Sequence, residues 1–141
     1  GSDCPFFIDS IPALGRGRGE MLTPLASHIL SGLRVVLANP KIRISTREVY
    51  ENCRPAQRGN DLSELARLPV SEWRESITND FEEYVFGRHP VVAQLKELFY
   101  ASGALYSSMS GSGSTVYGIF REEPVLPEEI RKFVIYSGYL Q

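Results

Sequence analysis

Residues 105–120 read LYSSMSGSGSTVYGIF, which predicts two β-strands joined by a short glycine and serine loop. Residues 105 to 109 and 115 to 120 are rich in aromatic, β-branched and other apolar side chains, as strands are. The loop between them contains Ser110, Gly111, Ser112 and Gly113. Its glycines allow positive φ, so backbone N–H groups can turn towards an anion, and its serines add hydroxyl donors. By itself, such a loop is more simply a turn between two strands.

The segments around this hairpin alternate short strands with helices. Short strands or hairpin turns are expected at 6–8, 13–16 and 20–22, further strands at 33–38 and 134–140, and helices at 46–52, 62–68, 79–87, 90–103 and 128–132. The last strand is expected to lie at an edge of its sheet. Strands mixed irregularly with helices predict an α+β fold, with an antiparallel sheet covered by helices mainly on one face.

Local signals set the expected ends of the helices. Residues 45–48 form a capping box that begins one helix. Asn79 is the expected N-cap of another, and Gly87 its expected end. Glu82 and Glu83, in the first turn of that helix, are expected to be capping and solvated residues and not a catalytic pair. The helix that begins at residue 90 is expected to have one apolar face, formed by Val91, Leu95, Leu98 and Phe99.

Length and charge restrict the class of protein. With 141 residues, of which 43% are hydrophobic, the chain is expected to fold as one domain. Its 15 basic and 17 acidic residues are interspersed, and the net charge is −2, so no broad basic face is expected to attract nucleic acid or an anionic membrane. No apolar run approaches the length of a membrane span, and no charged-then-apolar leader is found. We therefore expect no nucleic-acid partner and no membrane partner.

Cysteine and histidine residues indicate no metal centre. Cys4 and Cys53 lack metal-ligand spacing and the density of a secreted disulfide scaffold. We expect both to be free thiols in a reducing cytoplasm. His28 and His89 are too isolated to form a metal site.

Four segments resemble, in the same order, the motifs of one kinase superfamily. They are GSDCPFF at 1–7, similar to G-[AS]-D-[VC]-P-F-F; ALGRGRGE at 13–20, similar to A-x-x-x-G-x-G-E; STREVY at 45–50, similar to [SP]-T-x-x-[VI]-[YF]; and SGSGS at 110–114, similar to a third, glycine-rich motif. The chain thus resembles the C-terminal half of a GHMP kinase. Within that superfamily it is most similar to the family of 4-diphosphocytidyl-2-C-methyl-D-erythritol kinases.

The resemblance implies a ferredoxin-like C-terminal domain over residues 1–141, which in GHMP kinases packs against a larger N-terminal domain. The nucleotide-binding P-x-x-x-G-L-G-S-S-like loop and the catalytic lysine belong to that N-terminal half, and neither is found in these 141 residues. The implied reaction phosphorylates the 2-hydroxyl of a cytidine diphosphate derivative in non-mevalonate isoprenoid biosynthesis. ATP and Mg²⁺ are expected only in the full-length enzyme, and this chain alone is expected to be inactive. An uncovered docking face predicts a homodimer.

The resemblance also assigns roles to residues. Asp3 matches the catalytic base that faces the substrate hydroxyl, although an aspartate two residues before Pro5 is also typical of a turn. Tyr50 matches the aromatic residue that stacks on the cytosine ring, with a core tyrosine as the alternative. The loop 110–113 matches the motif that donates N–H groups beside the phosphates. Thr46 is expected near the phosphates by the same analogy, or else serves the first turn of its helix.

Two other functions stay open at this point. The chain could be a non-catalytic ferredoxin-like module that binds a small ligand or a partner protein, since such a module needs no second half. It could also belong to a GHMP kinase that acts on another alcohol, such as mevalonate. Arg16 and Arg18 lie on one side of a predicted strand and could bind phosphate, but arginines between glycines more commonly form a solvated edge.

Overall fold

The structure is a computed structural model that describes residues 13–16, 21–24, 29–56 and 61–140. Its strands are β1 (Ala13–Arg16), β2 (Met21–Pro24), β3 (Arg34–Ala38), β4 (Tyr106–Met109), β5 (Val116–Phe120) and β6 (Val134–Tyr139). Its α-helices are α1 (Thr46–Asn52), α2 (Leu62–Leu65), α3 (Glu82–Arg88), α4 (Pro90–Ala101) and α5 (Glu128–Arg131), and a 3₁₀ helix covers Val70–Glu75. In this part of the chain, no helix combines the length and the hydropathy needed to cross a bilayer.

The larger sheet is antiparallel, and its described strands have the order β4–β5–β3–β6. Along the chain, β3 is followed by helices, then by β4 and β5, and then by α5 and β6. This is the βαββαβ order of a ferredoxin-like fold. Strands β1 and β2 pair separately as an antiparallel hairpin. The predicted α+β fold with a ferredoxin-like antiparallel sheet is therefore confirmed, including the edge position of β6.

Helices α3, α4 and α5 pack on one face of this sheet and form the main core with it. Helix α4 buries Val92, Leu95 and Phe99, which share one side of the helix. The predicted residues Val91 and Leu98 also pack against this core, but they lie at its margin and are half-buried. Because Val91 and Val92 are equally apolar, periodicity could not decide which of them is buried more deeply, and packing on the sheet did.

A smaller cluster lies on the opposite face of the sheet. There, Val70 and Trp73 of the 3₁₀ helix pack with Tyr106 and Ile119. The Trp73 and Tyr106 rings meet edge to face with centroids 5.6 Å apart, and the Trp73 indole N–H donates to the Leu68 carbonyl at 2.9 Å. The sequence analysis did not predict this 3₁₀ helix, which is short and begins without a side-chain cap.

Capping signals were right at one helix and wrong at another. Ser45 is the N-cap of α1, and its Oγ accepts a hydrogen bond from the Glu48 N–H at 3.2 Å, as predicted. Asn79 is not the N-cap of α3, because the helix begins at Glu82, three residues further on. Gly87 does not end α3, because it lacks the positive φ of a glycine that terminates a helix. The side-chain amide of Asn79 donates instead to the carbonyls of Met109 and Gly111.

Candidate functional site

A groove of about 530 Å³ lies between α1, the segment 77–81 and the facing ends of β4 and β5. Its lining includes Tyr50 from α1, Phe81 from the start of the helical region, and Gly111 from the glycine loop. The aromatic residue and the loop that were singled out in the sequence therefore border the same cavity. Tyr50 and Gly111 are far apart in the sequence, so only the folded structure brings them together.

Tyr50 projects from α1 into this groove. The helix turns Val49 into the core and leaves Tyr50 65% exposed, so the core-tyrosine interpretation is wrong. The Tyr50 and Phe81 rings meet edge to face, with centroids 4.9 Å apart and an interplanar angle of 65°. Such a contact leaves at least one face of the Tyr50 ring uncovered by Phe81. That face is a suitable surface for stacking a planar ring.

The glycine loop is a tight turn whose geometry requires its glycines. The Ser110 N–H donates to the Thr115 carbonyl at 2.8 Å, and the Gly113 N–H donates to the Ser110 carbonyl at 3.0 Å. Gly111 and Gly113 have φ values of 56° and 90°, in the left-handed region. At Gly113, a Cβ would also lie 2.8 Å from the Met109 Sδ. Both backbone conformation and space therefore favour glycine at position 113.

Two backbone N–H groups of this loop are open to a ligand. Those of Gly111 and Ser112 donate to no acceptor within the described ranges. The Ser112 Oγ lies 3.2 Å from the Thr46 Oγ1, so two hydroxyl groups adjoin these N–H groups. Gly111 is exposed and Ser112 half-exposed. Several neutral N–H and O–H donors around an open turn suit an anion such as a phosphate.

Glu82 holds the strand that leads into the loop. Its Oε2 accepts from Lys96 Nζ at 2.7 Å, and its Oε1 accepts from the Met109 N–H at 2.9 Å and from the Ser108 hydroxyl at 3.0 Å. The carboxylate is buried, with only 10% of the side chain exposed, so the expectation of a solvated Glu82 was wrong. A first-turn glutamate gives the same sequence pattern whether it faces water or, as here, the end of a strand. Glu83 is exposed, as expected.

Two tyrosines also line the groove. Burial raises the pKa of both Tyr106 and Tyr117 above the ordinary value of a phenol. The Tyr106 hydroxyl donates to the Ile77 carbonyl at 2.9 Å. Both side chains are therefore uncharged at neutral pH. They give the groove apolar ring surface and neutral polar groups in place of fixed charges.

Comparison with known protein families shows which family this domain belongs to. The family model described as GHMP kinases C terminal matches residues 54–137, which include the segment 77–81 and the glycine loop. The chain belongs to the GHMP kinase family. The resemblance that was inferred from four short motifs is thereby confirmed at the level of the superfamily.

Individual GHMP kinases match a longer part of the chain than the family model does. A protein of Porphyromonas gingivalis named 4-diphosphocytidyl-2-C-methyl-D-erythritol kinase is 45% identical over 127 residues, which is 89% of this chain and 46% of that protein. A protein of the same name from Bacteroides thetaiotaomicron is 42% identical, over 91% of this chain and 46% of its own length. A crystal structure of 4-(cytidine 5'-diphospho)-2C-methyl-D-erythritol kinase superposes with a TM-score of 0.70 at 29% identity, over 94% of this chain and 47% of that one. The chain thus spans just under half the length of the curated relatives it matches.

The structure brings together some of the residues predicted from the GHMP kinase motifs. Tyr50 and Gly111 both line the groove, and Thr46 contacts the same loop through the Ser112 hydroxyl. Cys53 is a free, half-buried thiol on the same groove. Asp3 lies outside the described residues, and its role as catalytic base stays a prediction. The positions of Cys4, Arg18 and His28 also lie outside the described residues.

The described part of this GHMP kinase domain contains no cluster of metal-ligating side chains. There, no group of three or more histidine, cysteine, aspartate and glutamate side chains is arranged to hold a metal ion. Asp80 lines the groove, but its Oδ2 accepts from the Ala56 N–H at 3.2 Å. We therefore assign no step of a reaction to a metal ion bound by these residues.

Proposed function

We propose that this chain is the C-terminal part of a 4-diphosphocytidyl-2-C-methyl-D-erythritol kinase, an enzyme that uses ATP to phosphorylate the 2-hydroxyl of its substrate. Two relatives of that name match 89% and 91% of the chain at 45% and 42% identity. The observation that carries the proposal is the groove shared by Tyr50 and Gly111. A cytidine diphosphate derivative contains an aromatic base, which suits the Tyr50 ring in this groove, and two phosphates, which suit the donors of the loop that borders it.

The base is the part of the substrate that Tyr50 would bind. Stacking on an aromatic ring contributes about 1–3 kcal/mol for each nucleobase. Because Phe81 supports Tyr50 through an edge-to-face contact, the ring is partly fixed before a ligand binds. A fixed ring loses less conformational entropy on binding than a freely rotating one.

The phosphates are the part that the glycine loop would bind. The N–H groups of Gly111 and Ser112 are the donors, and the Ser112 and Thr46 hydroxyls adjoin them. Preorganised donors of this kind stabilise negative charge without having to reorganise during the reaction. Asp3 would accept the proton of the substrate hydroxyl, as the motif at 1–7 implies.

Membership of a kinase family implies ATP as the phosphoryl donor for the whole enzyme. In such reactions Mg²⁺ neutralises phosphate charge while the protein aligns donor and acceptor. The described residues contribute to this scheme by orienting the acceptor substrate. We propose that residues which bind ATP and Mg²⁺ belong to another part of the enzyme.

Ligand titration of the 141-residue chain tests the groove. We expect CDP to bind more tightly than UDP or mevalonate, and Tyr50→Ala to weaken CDP binding by about tenfold through the loss of stacking. Tyr50→Phe should bind within about twofold of wild type, because it keeps the ring. Isothermal titration calorimetry measures all of these affinities.

Tyr136→Ala is the matched control, because Tyr136 is also an exposed tyrosine but lies on β6, outside the groove. It should leave CDP binding unchanged. Equal CDP affinities for Tyr50→Ala and wild type would contradict the stacking role. A preference for mevalonate over CDP would instead favour a GHMP kinase for another alcohol, and binding of neither would favour a non-catalytic module.

Catalysis needs a separate test. We expect the 141-residue chain alone to release no ADP from ATP in the presence of 4-diphosphocytidyl-2-C-methyl-D-erythritol, as measured in a coupled assay. Ordinary turnover by this chain alone would contradict that expectation. A cytoplasmic location and a homodimer also stay predictions, and light scattering over a range of concentrations tests the dimer.

A further inference from the structure

We propose that Asn79 is a positioning residue, whose side-chain amide sets the orientation of the glycine loop 110–113 for phosphate binding. The phosphate-binding part of this inference rests on the function proposed above. The role of Asn79 itself depends on contacts within this chain. Asn79 is half-buried and lines the same groove as Tyr50 and Gly111.

The polar atoms of Asn79 are all engaged with the backbone. Its Nδ2 donates to the Met109 carbonyl and to the Gly111 carbonyl, each at 2.8 Å. Its Oδ1 accepts from the Phe81 N–H at 3.0 Å. One amide therefore connects the segment before α3 with the last residue of β4 and with the loop that follows.

The bond to the Gly111 carbonyl determines where the Ser112 N–H points. In a planar trans peptide, the carbonyl and the following N–H point in opposite directions. Since the Gly111 carbonyl faces Asn79, the Ser112 N–H must face away from it. The same reasoning holds one step earlier, where the Ser110 carbonyl accepts from Gly113 and the Gly111 N–H faces the other way.

A glycine loop does not fix these directions without help. Gly111 already has a φ of 56°, and a residue without Cβ tolerates rotation of the peptide that follows it. No other side chain in the described ranges donates to the Gly111 carbonyl. The Asn79 amide is thus the contact that favours one orientation of the Gly111–Ser112 peptide.

Asn79 is itself held in place on the strand. Glu82, three residues later, accepts from the Met109 N–H at 2.9 Å, while Asn79 donates to the Met109 carbonyl at 2.8 Å. Both polar groups of Met109 are therefore bound by the short segment 79–82. This leaves Asn79 little freedom to move relative to the loop, as a positioning residue requires.

Two substitutions separate the amide donors from other properties of Asn79. Asn79→Asp keeps the size of the side chain and an acceptor for the Phe81 N–H, but it cannot donate to the two carbonyls when ionised. Asn79→Leu also lacks the donors and carries no charge, so effects shared by both variants cannot come from charge. Ser107→Ala is the control, because Ser107 lies in the same strand as Met109 but does not line the groove. The variant removes the 2.8 Å hydrogen bond that the buried Ser107 hydroxyl donates to the Tyr117 carbonyl of β5.

The first measurement needs no ligand. In NMR spectra of the 141-residue chain, we expect both Asn79 variants to shift the Gly111 ¹³C carbonyl and the Ser112 ¹⁵N–H signals, while methyl signals of the core stay in place. Ser107→Ala should leave the two loop signals unchanged. If Gly111 and Ser112 give wild-type signals in the folded variants, the proposal is overturned.

The second measurement compares CDP with cytidine, which lacks the phosphates. Both Asn79 variants should weaken CDP binding by at least about tenfold, the loss expected for hydrogen bonds to a charged group, and change cytidine binding by less than about twofold. Equal losses for CDP and cytidine would overturn the proposal, since a merely structural effect predicts them.

The two proposals fail in distinguishable ways. If the wild-type chain binds neither CDP nor cytidine, the proposed function fails, and the ligand-free NMR signals still support or overturn the positioning role. If Asn79→Leu does not fold, Asn79→Ala decides by the same ligand-free signals, because it also lacks the amide donors and carries no charge.

Discussion

Strands β4 and β6 form the two ends of the strand order in the described sheet, yet they differ in almost every contact. All four residues of β4 are buried. In β6, Ile135, Tyr136 and Tyr139 are exposed by 58%, 52% and 67%. Helix α4 packs on one side of β4, and the 3₁₀ helix covers the other. β6 relies mainly on its pairing with β3.

The comparison shows that β4 is held by side-chain hydrogen bonds as well as by strand pairing. The end of β4 is bound by Asn79 and Glu82, which are distant in sequence, and it leads directly into the glycine loop. The edge strand that adjoins the proposed site is therefore fixed by side chains as well as by its backbone ladder. Substitutions in and around β4 and β6 test whether the two strands also differ in their contribution to the free energy of unfolding.

The largest effect is expected for Glu82→Ala at the β4 end. It leaves Lys96 without its ion-pair partner at 2.7 Å and removes the acceptor of the Met109 N–H. Breaking a buried pair by removing one partner typically lowers the free energy of unfolding by about 3–5 kcal/mol. Urea denaturation measures this change.

Glu128→Ala is the matched control, since Glu128 pairs with Arg131 at 2.6 Å on an exposed helix surface. Its expected cost is about 0–1 kcal/mol. A similar cost for both substitutions would show that burial of the β4 anchor carries no additional energy.

A second comparison uses two glycines that face different neighbours. A Cβ at Gly118, in β5 beside β4, would lie 3.0 Å from the Phe99 ring, which is fully buried. A Cβ at Gly138, in β6, would collide with the hydroxyl of Tyr136, which is the far end of a half-exposed side chain. We expect Gly118→Ala to cost about 1–3 kcal/mol through overpacking.

Gly138→Ala should stay within about 0.5 kcal/mol of wild type, because only an exposed side chain has to move. Thermal unfolding followed by circular dichroism compares the two variants. If Gly138→Ala is the more destabilising one, β6 is packed more tightly than its exposure indicates.

The pH dependence of the free energy of unfolding should also reflect the burial of Tyr106 in β4. Burial raises the pKa of Tyr106 above its ordinary value of 10, so the folded state keeps a phenol protonated that the unfolded state ionises. The free energy of unfolding is therefore at its full value well below pH 10, and it falls as the pH rises above 10 towards the raised pKa of the folded state. For one such group the loss is about 1 kcal/mol at pH 11.

Tyr106→Phe should make this alkaline decline shallower, because the variant lacks one of the phenols whose pKa burial raises, while Tyr117 is still present. Ser107→Ala, in the same strand, should retain the wild-type slope. Urea denaturation at pH 9, 10 and 11 gives the three slopes. An equally steep decline in Tyr106→Phe would assign the effect to other groups.

The smallest effect is expected for Ile135→Lys on β6. The side chain is 58% exposed, so a charge there avoids desolvation, and the free energy of unfolding should change by less than about 0.5 kcal/mol. A loss above 1 kcal/mol would mean that this edge is covered by part of the protein or by a second copy. Light scattering on the same variant shows whether self-association changes.

Much of the fold was predictable because it depends on neighbours in sequence. The residues at 105–120 predicted two strands and their turn, and the capping box at Ser45 predicted the start of α1. Tyr50 and the loop 110–113 were found through motifs. The sequence analysis failed at Asn79 and Glu82, whose local patterns suggested an ordinary helix start. Their partners, Met109 and the glycine loop, lie about 30 residues further along the chain.

The sequence by itself determined the α+β pattern, the glycines of the tight turn and the membership of a kinase superfamily. These properties follow from hydrophobic spacing, backbone freedom and short motifs, all of which are local. Only the tertiary structure decided that Tyr50 and Gly111 border one groove, that Glu82 is buried, and that Val92 is buried more deeply than Val91. The physical reason is that burial and hydrogen-bond partners depend on which elements pack together, and that packing is a property of the whole chain.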